Sequence, residues 1–262
     1  MPRVGLGTSP MTNEEAAVAV LEAIGLGYRL IDTAFNYNNE EGVGRAIAAS
    51  EVAREELFVT SKFNAESHGV DLVREAWAGS VKRLGLDYLD LLLIHWPNPS
   101  RNRYVDAWRG LIKLRDEGLV RSIGVSNFKP GHIDRLIEQT GVAPEVNQVQ
   151  LNPHLSREGT RSYDAQHGIV TESWSPIGAG GGLLQEPAIL ELAARHRRTP
   201  AQIVLRWHLV LGLVVIPKTS SGERMAENLD VFDFALTGQE IAMLSSLDRG
   251  EAAAVDSDAF GH

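Results

Sequence analysis

The sequence predicts an α/β fold, a (β/α)8 TIM barrel with two extra helices, formed as a single domain over residues 1–262. Three observations predict it. Apolar runs and helix-patterned segments alternate eight times, and no Pro/Gly/Ser linker, low-complexity tract or internal repeat divides them. The runs are apolar on both faces, as in parallel strands covered by helices. The length of 262 residues matches the roughly 250 that one such barrel takes.

Residues 3–7 read as strand one. Asn13-Glu14-Glu15 opens a helix with acidic residues in its first turn, where the helix dipole favours them, and Gly25 and Gly27 close it. Strand two is 28–34, followed by a short helix over 41–49. Strand three is 57–61, and its helix runs over 71–84 to Gly85. Strand four is 89–94, the next helix is 104–117 with Gly118 as its stop, and strand five is 122–125. After Pro130, Ile133, Leu136 and Ile137 recur at helical spacing as far as Gly141. Strand six is 146–149, a helix covers 156–166, and strand seven is 169–173. Helices over 187–197 and 200–211 each begin with proline, whose missing N–H costs nothing in a first turn. Strand eight is 214–217, and helices over 223–231 and 238–247 precede an irregular tail from Gly250. The rival is a doubly wound dinucleotide fold. Its G-x-G-x-x-G is broken in Gly178-Ala179-Gly180-Gly181-Gly182-Leu183, which also follows the wrong strand.

A hydrophobic content of 44% with 23% charged residues is that of a soluble globular protein with a sizeable core. The net charge of −9 argues against nucleic acid or an anionic membrane as partner, so an anionic ligand needs local cations. The absence of cysteine excludes disulfides, thiolate metal sites and cysteine nucleophiles. No apolar run approaches a membrane span and Met1-Pro2-Arg3-Val4-Gly5 has no signal-peptide core, so the cytoplasm is the expected location. The histidines show no metal-ligand spacing, and neither a G-x-S-x-G elbow nor a G-x-x-x-x-G-K loop occurs; no metal site is expected.

Polar residues stand where apolar strands stop: Asp32 and Tyr37 after strand two, Lys62 after strand three, His95 after strand four. In a barrel these strand ends and the loops beyond them form the active site. Lys62 reads either as a buried cation paired with a carboxylate or as an exposed loop charge. Tyr37 is either packing or, beside an ammonium, a strengthened acid. His95 alone reads as a structural histidine. Together the four suit proton transfer to a carbonyl oxygen. A second cluster, Lys218-Thr219-Ser220 with Arg224 and, one turn on, Glu227 and Asn228, is either a phosphate site or a solvated helix cap.

Several stretches resemble one family, the aldo-keto reductases, and within it the bacterial branch that includes 2,5-diketo-D-gluconate reductases. They are Gly5-Leu6-Gly7-Thr8, Asp32-Thr33-Ala34-Phe35-Asn36-Tyr37, Asn39 to Gly44, Leu93-Ile94-His95-Trp96-Pro97, Ile123 to Phe128, Val146-Asn147-Gln148, Ser173 to Gly178, and Ile216-Pro217-Lys218 through Arg224 to Leu229. They occur in the family's order from the first strand to the penultimate helix.

The resemblance implies NADPH-dependent reduction of an aldehyde or ketone. Tyr37 would protonate the carbonyl oxygen, Lys62, held by Asp32, would lower the Tyr37 pKa, and His95 would orient the carbonyl. Ser126, Asn127 and Gln148 would hold the nicotinamide carboxamide while Trp174 stacks on the ring. Ser175, Ile177 and Ala179 would lie along the pyrophosphate, with Gly7, Thr8, Asp32 and Gly178 also facing the cofactor. Lys218, Thr219, Ser220 and Arg224 would grip the 2′-phosphate, with Glu227 and Asn228 near the adenine. Lys218 and Arg224 favour NADPH, and Ser221, where relatives often carry another basic residue, weakens discrimination against NADH. Ser9, Asn36 and Asn64 would widen a pocket shared with His95 and Trp96, suiting a small dicarbonyl or keto-sugar; Trp96, Trp174 and the tail from Ala253 to His262 would add apolar walls. The family's usual N-terminal hairpin is missing before strand one, so the barrel floor is open or the start is trimmed. A monomer is expected. The alternative is a non-catalytic NADPH-binding partner protein on the same barrel, against which the intact set Asp32, Tyr37, Lys62 and His95 weighs. A metal-dependent barrel hydrolase has no ligand cluster behind it.

Overall fold

The computed structural model describes residues 1–261, and His262, at the end of the expected tail wall, lies outside the described residues. Eight parallel strands pair in chain order: β1 (Leu6–Gly7), β2 (Leu30–Asp32), β3 (Phe58–Phe63), β4 (Leu89–Ile94), β5 (Val120–Ser126), β6 (Val146–Gln150), β7 (Val170–Trp174) and β8 (Val214–Val215). The last strand returns to the first. Val4 bridges Val215 in parallel, Gly5 N donates to Val215 O at 2.8 Å, and Gly7 N donates to Pro217 O at 3.2 Å.

Ten α-helices lie among the described residues: α1 (Asn13–Leu26), α2 (Glu40–Ala49), α3 (Val70–Leu84), α4 (Tyr104–Asp116), α5 (Pro130–Thr140), α6 (Glu158–Gln166), α7 (Pro187–His196), α8 (Pro200–Val210), α9 (Gly222–Leu229) and α10 (Gly238–Ser245). One follows each of β1 to β6 and two follow each of β7 and β8, so two are additional to the repeat. The first helix shows how local chemistry sets the limits. Thr12 Oγ1 accepts from Glu15 N at 3.2 Å and Glu15 Oε2 accepts from Thr12 N at 2.8 Å, satisfying two donors that a helix start leaves free. Its stop is Gly27, whose φ of 106° favours glycine. No helix of the described residues is long and apolar enough to cross a membrane.

Strand side chains alternate between two environments. Leu6, Ile31, Val59, Leu92, Ile123 and Val215 point outward and join helix residues such as Val20, Trp108 and Leu111 in the main core. Leu30, Val214 and Ile216, and Leu91, Leu93 and Val146, point inward and meet around Phe58 in the barrel interior. Toward the C-terminal strand ends the interior turns polar, with Asp32, Lys62, Gln148 and Glu172 buried there.

The strand limits differ from the sequence pattern where cross-strand pairing decides them. β3 runs on to Phe63 because Lys62 pairs with Leu93 and Phe63 with Ile94, so Lys62 lies within the strand and not after it. β2 and β8 are shorter than expected, each stopping where the chain leaves the sheet.

Candidate active site

The segment after β2 is tied over the barrel mouth by one asparagine. Asn39 Nδ2 donates to Thr8 O and Met11 O, both at 3.0 Å, and its Oδ1 accepts from Thr33 Oγ1 at 2.7 Å. A single 3-10 turn, Phe35–Tyr37, fits between these anchors and ends at Asn38 with φ 55°. Tyr37 is thereby held above the end of β3, its hydroxyl 3.3 Å from Lys62 Nζ.

Lys62 is 0% exposed and Asp32 1%, so their charges have only each other and neighbouring dipoles to replace water. Lys62 Nζ donates to Asp32 Oδ1 at 2.6 Å and Thr33 O at 3.0 Å; with Tyr37 these use its three hydrogens. Burial is the largest effect and opposes the ammonium, but Asp32, with Tyr37 and Glu172 adding to it, holds the Lys62 pKa above the ordinary lysine value. Asp32 Oδ2 accepts from Gln148 Nε2 at 2.8 Å, and the same nitrogen donates to Glu172 Oε2 at 2.7 Å.

For Tyr37 two effects oppose. Burial pushes the phenol above its ordinary pKa of 10.0, and the Lys62 ammonium pulls it down. Burial prevails in the protein alone, so the net direction is upward where a lowered value was expected. The lysine limits the rise.

His95 follows β4, with Nδ1 3.3 Å from Asn64 Oδ1 and its ring edge-on to Tyr37 at 5.8 Å. Beyond it a hydrogen-bonded chain crosses the mouth. Asn127, in the left-handed region at φ 63°, donates to His95 O at 3.1 Å and Ser126 Oγ at 3.0 Å, and accepts from Trp174 Nε1 at 2.9 Å. Ser126 Oγ donates to Gln148 O at 2.8 Å. Ser126, Asn127, Gln148 and Trp174 therefore act as one unit that sets the indole's orientation.

These groups open on a cavity of about 430 Å³. Of the residues singled out from sequence, Gly7, Thr8, Ser9, Asp32, Tyr37, His95, Trp96, Ser126, Asn127, Gln148, Trp174, Ser175, Ile177, Ala179 and Lys218 line it. Asn64 does not; it stands behind His95. Nor does Asn36, a half-buried residue whose Oδ1 has no hydrogen-bond partner. Of the three residues expected to widen the pocket, only Ser9 lines it.

Gly178, Thr219, Ser220, Arg224, Glu227 and Asn228 lie outside the cavity lining. Gly178, at φ 81°, sits in a turn between left-handed Ser175 and Ala179. Thr219 is buried and accepts from Ser221 N at 3.1 Å, and Ser221 Oγ caps α9 by accepting from Arg224 N at 3.4 Å. Ser220 and Arg224 are exposed and Glu227 is half-buried. Asn228 is buried, and the nearby Tyr28 hydroxyl donates to Met225 O at 3.0 Å. Among the described residues neither Lys218 nor Arg224 forms an ion pair, although Lys218 is near enough to Glu15 to add to the lowering of its pKa by the Thr12 hydrogen bonds.

Two features were not found from sequence. Phe260 packs edge-on against Trp96 at 4.9 Å, and the tail carrying it is held by Lys129 to Asp256 at 2.6 Å and by His132 to Asp258 at 2.9 Å. Only an apolar wall from this tail was expected. Glu172 was missed altogether, although a carboxyl at every-second-residue register within the apolar run 169–173 was the available signal.

The whole matching span agrees with known proteins. Residues 3–249 match the model of the Aldo/keto reductase family. The chain is 50% identical to methylglyoxal reductase DkgA of Salmonella typhimurium, over 100% of this chain and 94% of that protein. It is 50% identical to 2,5-diketo-D-gluconic acid reductase B of Corynebacterium sp., over 94% of this chain and 89% of that protein. The crystal structure of a Gox0644 mutant in complex with NADPH superposes with a TM-score of 0.94 at 42% identity, covering 99% of this chain and 94% of that one.

Proposed function

Because the chain belongs to the aldo/keto reductase family, an oxidoreductase family, we propose that it reduces small aldehydes and ketones of the dicarbonyl or keto-sugar class with NADPH, using Tyr37 as proton donor. The observation that carries this reading is the Tyr37 hydroxyl 3.3 Å from a buried Lys62 ammonium, on a cavity it shares with His95.

The residues present fit a dinucleotide with a 2′-phosphate. An added Cβ at Gly7 would lie 2.8 Å from Ile216 O, so only glycine permits this close approach of β1 to the chain after β8 beneath the cavity. Trp174 offers an aromatic face, the turn from Ser175 to Ala179 is shaped by left-handed residues, and Lys218 and Arg224 offer two cations outside any ion pair among the described residues on a chain of net charge −9. Lys218, Thr219, Ser220 and Arg224 are the residues that would hold the 2′-phosphate, and NADH, lacking it, would bind less well. NADPH, when bound, supplies the hydride.

The protein's part is the proton. As negative charge builds on the carbonyl oxygen, Tyr37 transfers its phenolic proton there, and Lys62 stabilises the phenolate left behind. His95, edge-on to Tyr37, positions the oxygen. These groups act on charge that exists only at the transition state, which is where stabilisation raises the rate. The relatives named for methylglyoxal and diketogluconic acid support small polar carbonyls as substrates, and Ser9 with Trp96 gives a mixed wall for them.

Steady-state oxidation of NADPH and NADH across methylglyoxal, keto-sugars and bulky aromatic aldehydes tests this. Higher kcat/KM for the small dicarbonyls and for NADPH is expected. A preference for bulky aromatic aldehydes would overturn the substrate class, and equal use of NADH would overturn the role of Lys218 and Arg224.

A further inference from the structure

Glu172, on β7, is a carboxyl inside the barrel that takes no part in the chemistry above. It is fully buried and pairs in register with Gln148 of β6. Gln148 Nε2 has two hydrogens, and both go to carboxyls: Asp32 Oδ2 at 2.8 Å and Glu172 Oε2 at 2.7 Å. Asp32 Oδ1 holds Lys62 Nζ at 2.6 Å, and that nitrogen lies 3.3 Å from the Tyr37 hydroxyl. A continuous hydrogen-bonded chain therefore joins Glu172 to Tyr37. We propose that Glu172 is a positioning residue for carbonyl reduction, acting through Gln148 and Asp32 to set the protonation behaviour of the Lys62–Tyr37 pair. The proposal rests on the reading of Tyr37 as proton donor.

Charge balance supports it. The interior holds two carboxyls and one ammonium, and the ammonium contacts Asp32 directly. A second carboxylate in this interior would be uncompensated. Burial first, and then the Asp32 charge, push the Glu172 carboxyl up to about 8, so near neutral pH it carries a proton and the cluster is neutral. Glu172 Oε1 has no hydrogen-bond partner among the described residues and can carry that proton, leaving Oε2 to accept from Gln148. The titratable groups facing it are Asp32 of β2, Lys62 of β3, Tyr37 and, at the rim, His95. Among the described residues the inward positions of the other strands are Gly5 and Gly7, Leu89, Leu91 and Leu93, Val120, Ser122, Gly124 and Ser126, and Val214 and Ile216, none of which titrates.

An ionised Glu172 raises the pKa of both Lys62 and Tyr37, making the phenol a weaker acid. Glu172→Gln keeps an acceptor for Gln148 and can never ionise. The alkaline limb of the reduction pH profile, where Tyr37 loses its proton, should move to lower pH in E172Q by roughly half a unit or more. A stability effect accompanies it. The folded protein keeps this proton up to about 8, whereas the unfolded chain loses it near the ordinary 4.5, so stability falls as pH rises through that window. E172Q escapes the loss, and its Tm relative to the parent should climb across the same range.

The test measures both profiles for the parent, E172Q and Y37F enzymes. A shifted limb with a pH-dependent Tm gain supports the proposal. A Tm change with an unmoved limb means that Glu172 is structural only, and overturns it. If Y37F turns over normally, the proton-donor reading itself fails. Should E172Q not fold, 13C NMR of the parent labelled in glutamate carboxyls and tyrosine rings decides: a glutamate titrating near 8 with the Tyr37 ring signal responding in the same step supports the proposal, and a glutamate titration that leaves Tyr37 unmoved, or none near 8, overturns it.

Discussion

Replacing Lys62 with methionine isolates what the buried ammonium contributes. Methionine is flexible enough to fill much of the lysine stem's space, but it offers no donor to Asp32, Thr33 O or Tyr37. Folding suffers first. Asp32 stays buried with Gln148 Nε2 as its remaining side-chain partner, and breaking such a pair costs about 3–5 kcal/mol. In a chain of this size that lowers Tm by on the order of 10 °C. The chemistry suffers separately. Unit charges at the 3.3 Å between Lys62 Nζ and the Tyr37 oxygen interact by about 5 kcal/mol at an effective dielectric of ~20, an upper bound equal to between ~3 and 4 pK units. A kcat loss on the order of 10³ is the corresponding expectation, with NADPH affinity within about threefold of the parent. Single-turnover NADPH oxidation, a cofactor titration and thermal melts measure the three quantities. A K62M enzyme with the parent's Tm and kcat within tenfold would refute the buried-pair reasoning.

Arg224→Ala should raise the KM for NADPH by roughly 10–100-fold and leave that for NADH nearly unchanged, the value of one charge-assisted phosphate contact; equal effects on both cofactors would remove Arg224 from the phosphate site. Gly7→Ala places a Cβ 2.8 Å from Ile216 O, a backbone atom that cannot swing aside, so a loss of about 1–3 kcal/mol in denaturant unfolding is expected and an unchanged midpoint would contradict the close approach. The double change D256N/D258N releases the tail from Lys129 and His132. Those pairs are solvent-exposed and weakly stabilising, so stability should barely move while substrate KM rises and cofactor KM does not.

The catalytic candidates were legible because each is a charged or polar residue at or near the end of an apolar run. Lys62 was placed one step outside its strand because only the pairing of Phe63 with Ile94 extends β3 past it. Residue pattern cannot register such partners. Asn39 stood inside a family stretch, yet its bonds to Thr8 and Met11 depend on how two distant loops meet. Asn64 and Asn36 were expected in the pocket because they stand where the resembled family often carries aromatic or aliphatic side chains. The structure turns the first behind His95 and keeps the second off the cavity wall. Glu172 was hidden for the opposite reason: within an apolar run a single carboxyl looks like an edge substitution until the register places it opposite Gln148. The Tyr37 shift was expected downward from the nearby ammonium alone; burial, which residue pattern does not register, and then the Asp32 charge oppose that ammonium and turn the shift upward.

Single-turnover reduction of methylglyoxal by the Y37F enzyme, saturated with NADPH, bears most directly on the role of the phenol. The hydride step should slow by on the order of 10²–10⁴ while the cofactor Kd stays within about twofold of the parent. Reduction at the parent rate, with NADPH equally well bound, would contradict the assignment of Tyr37 as the proton donor.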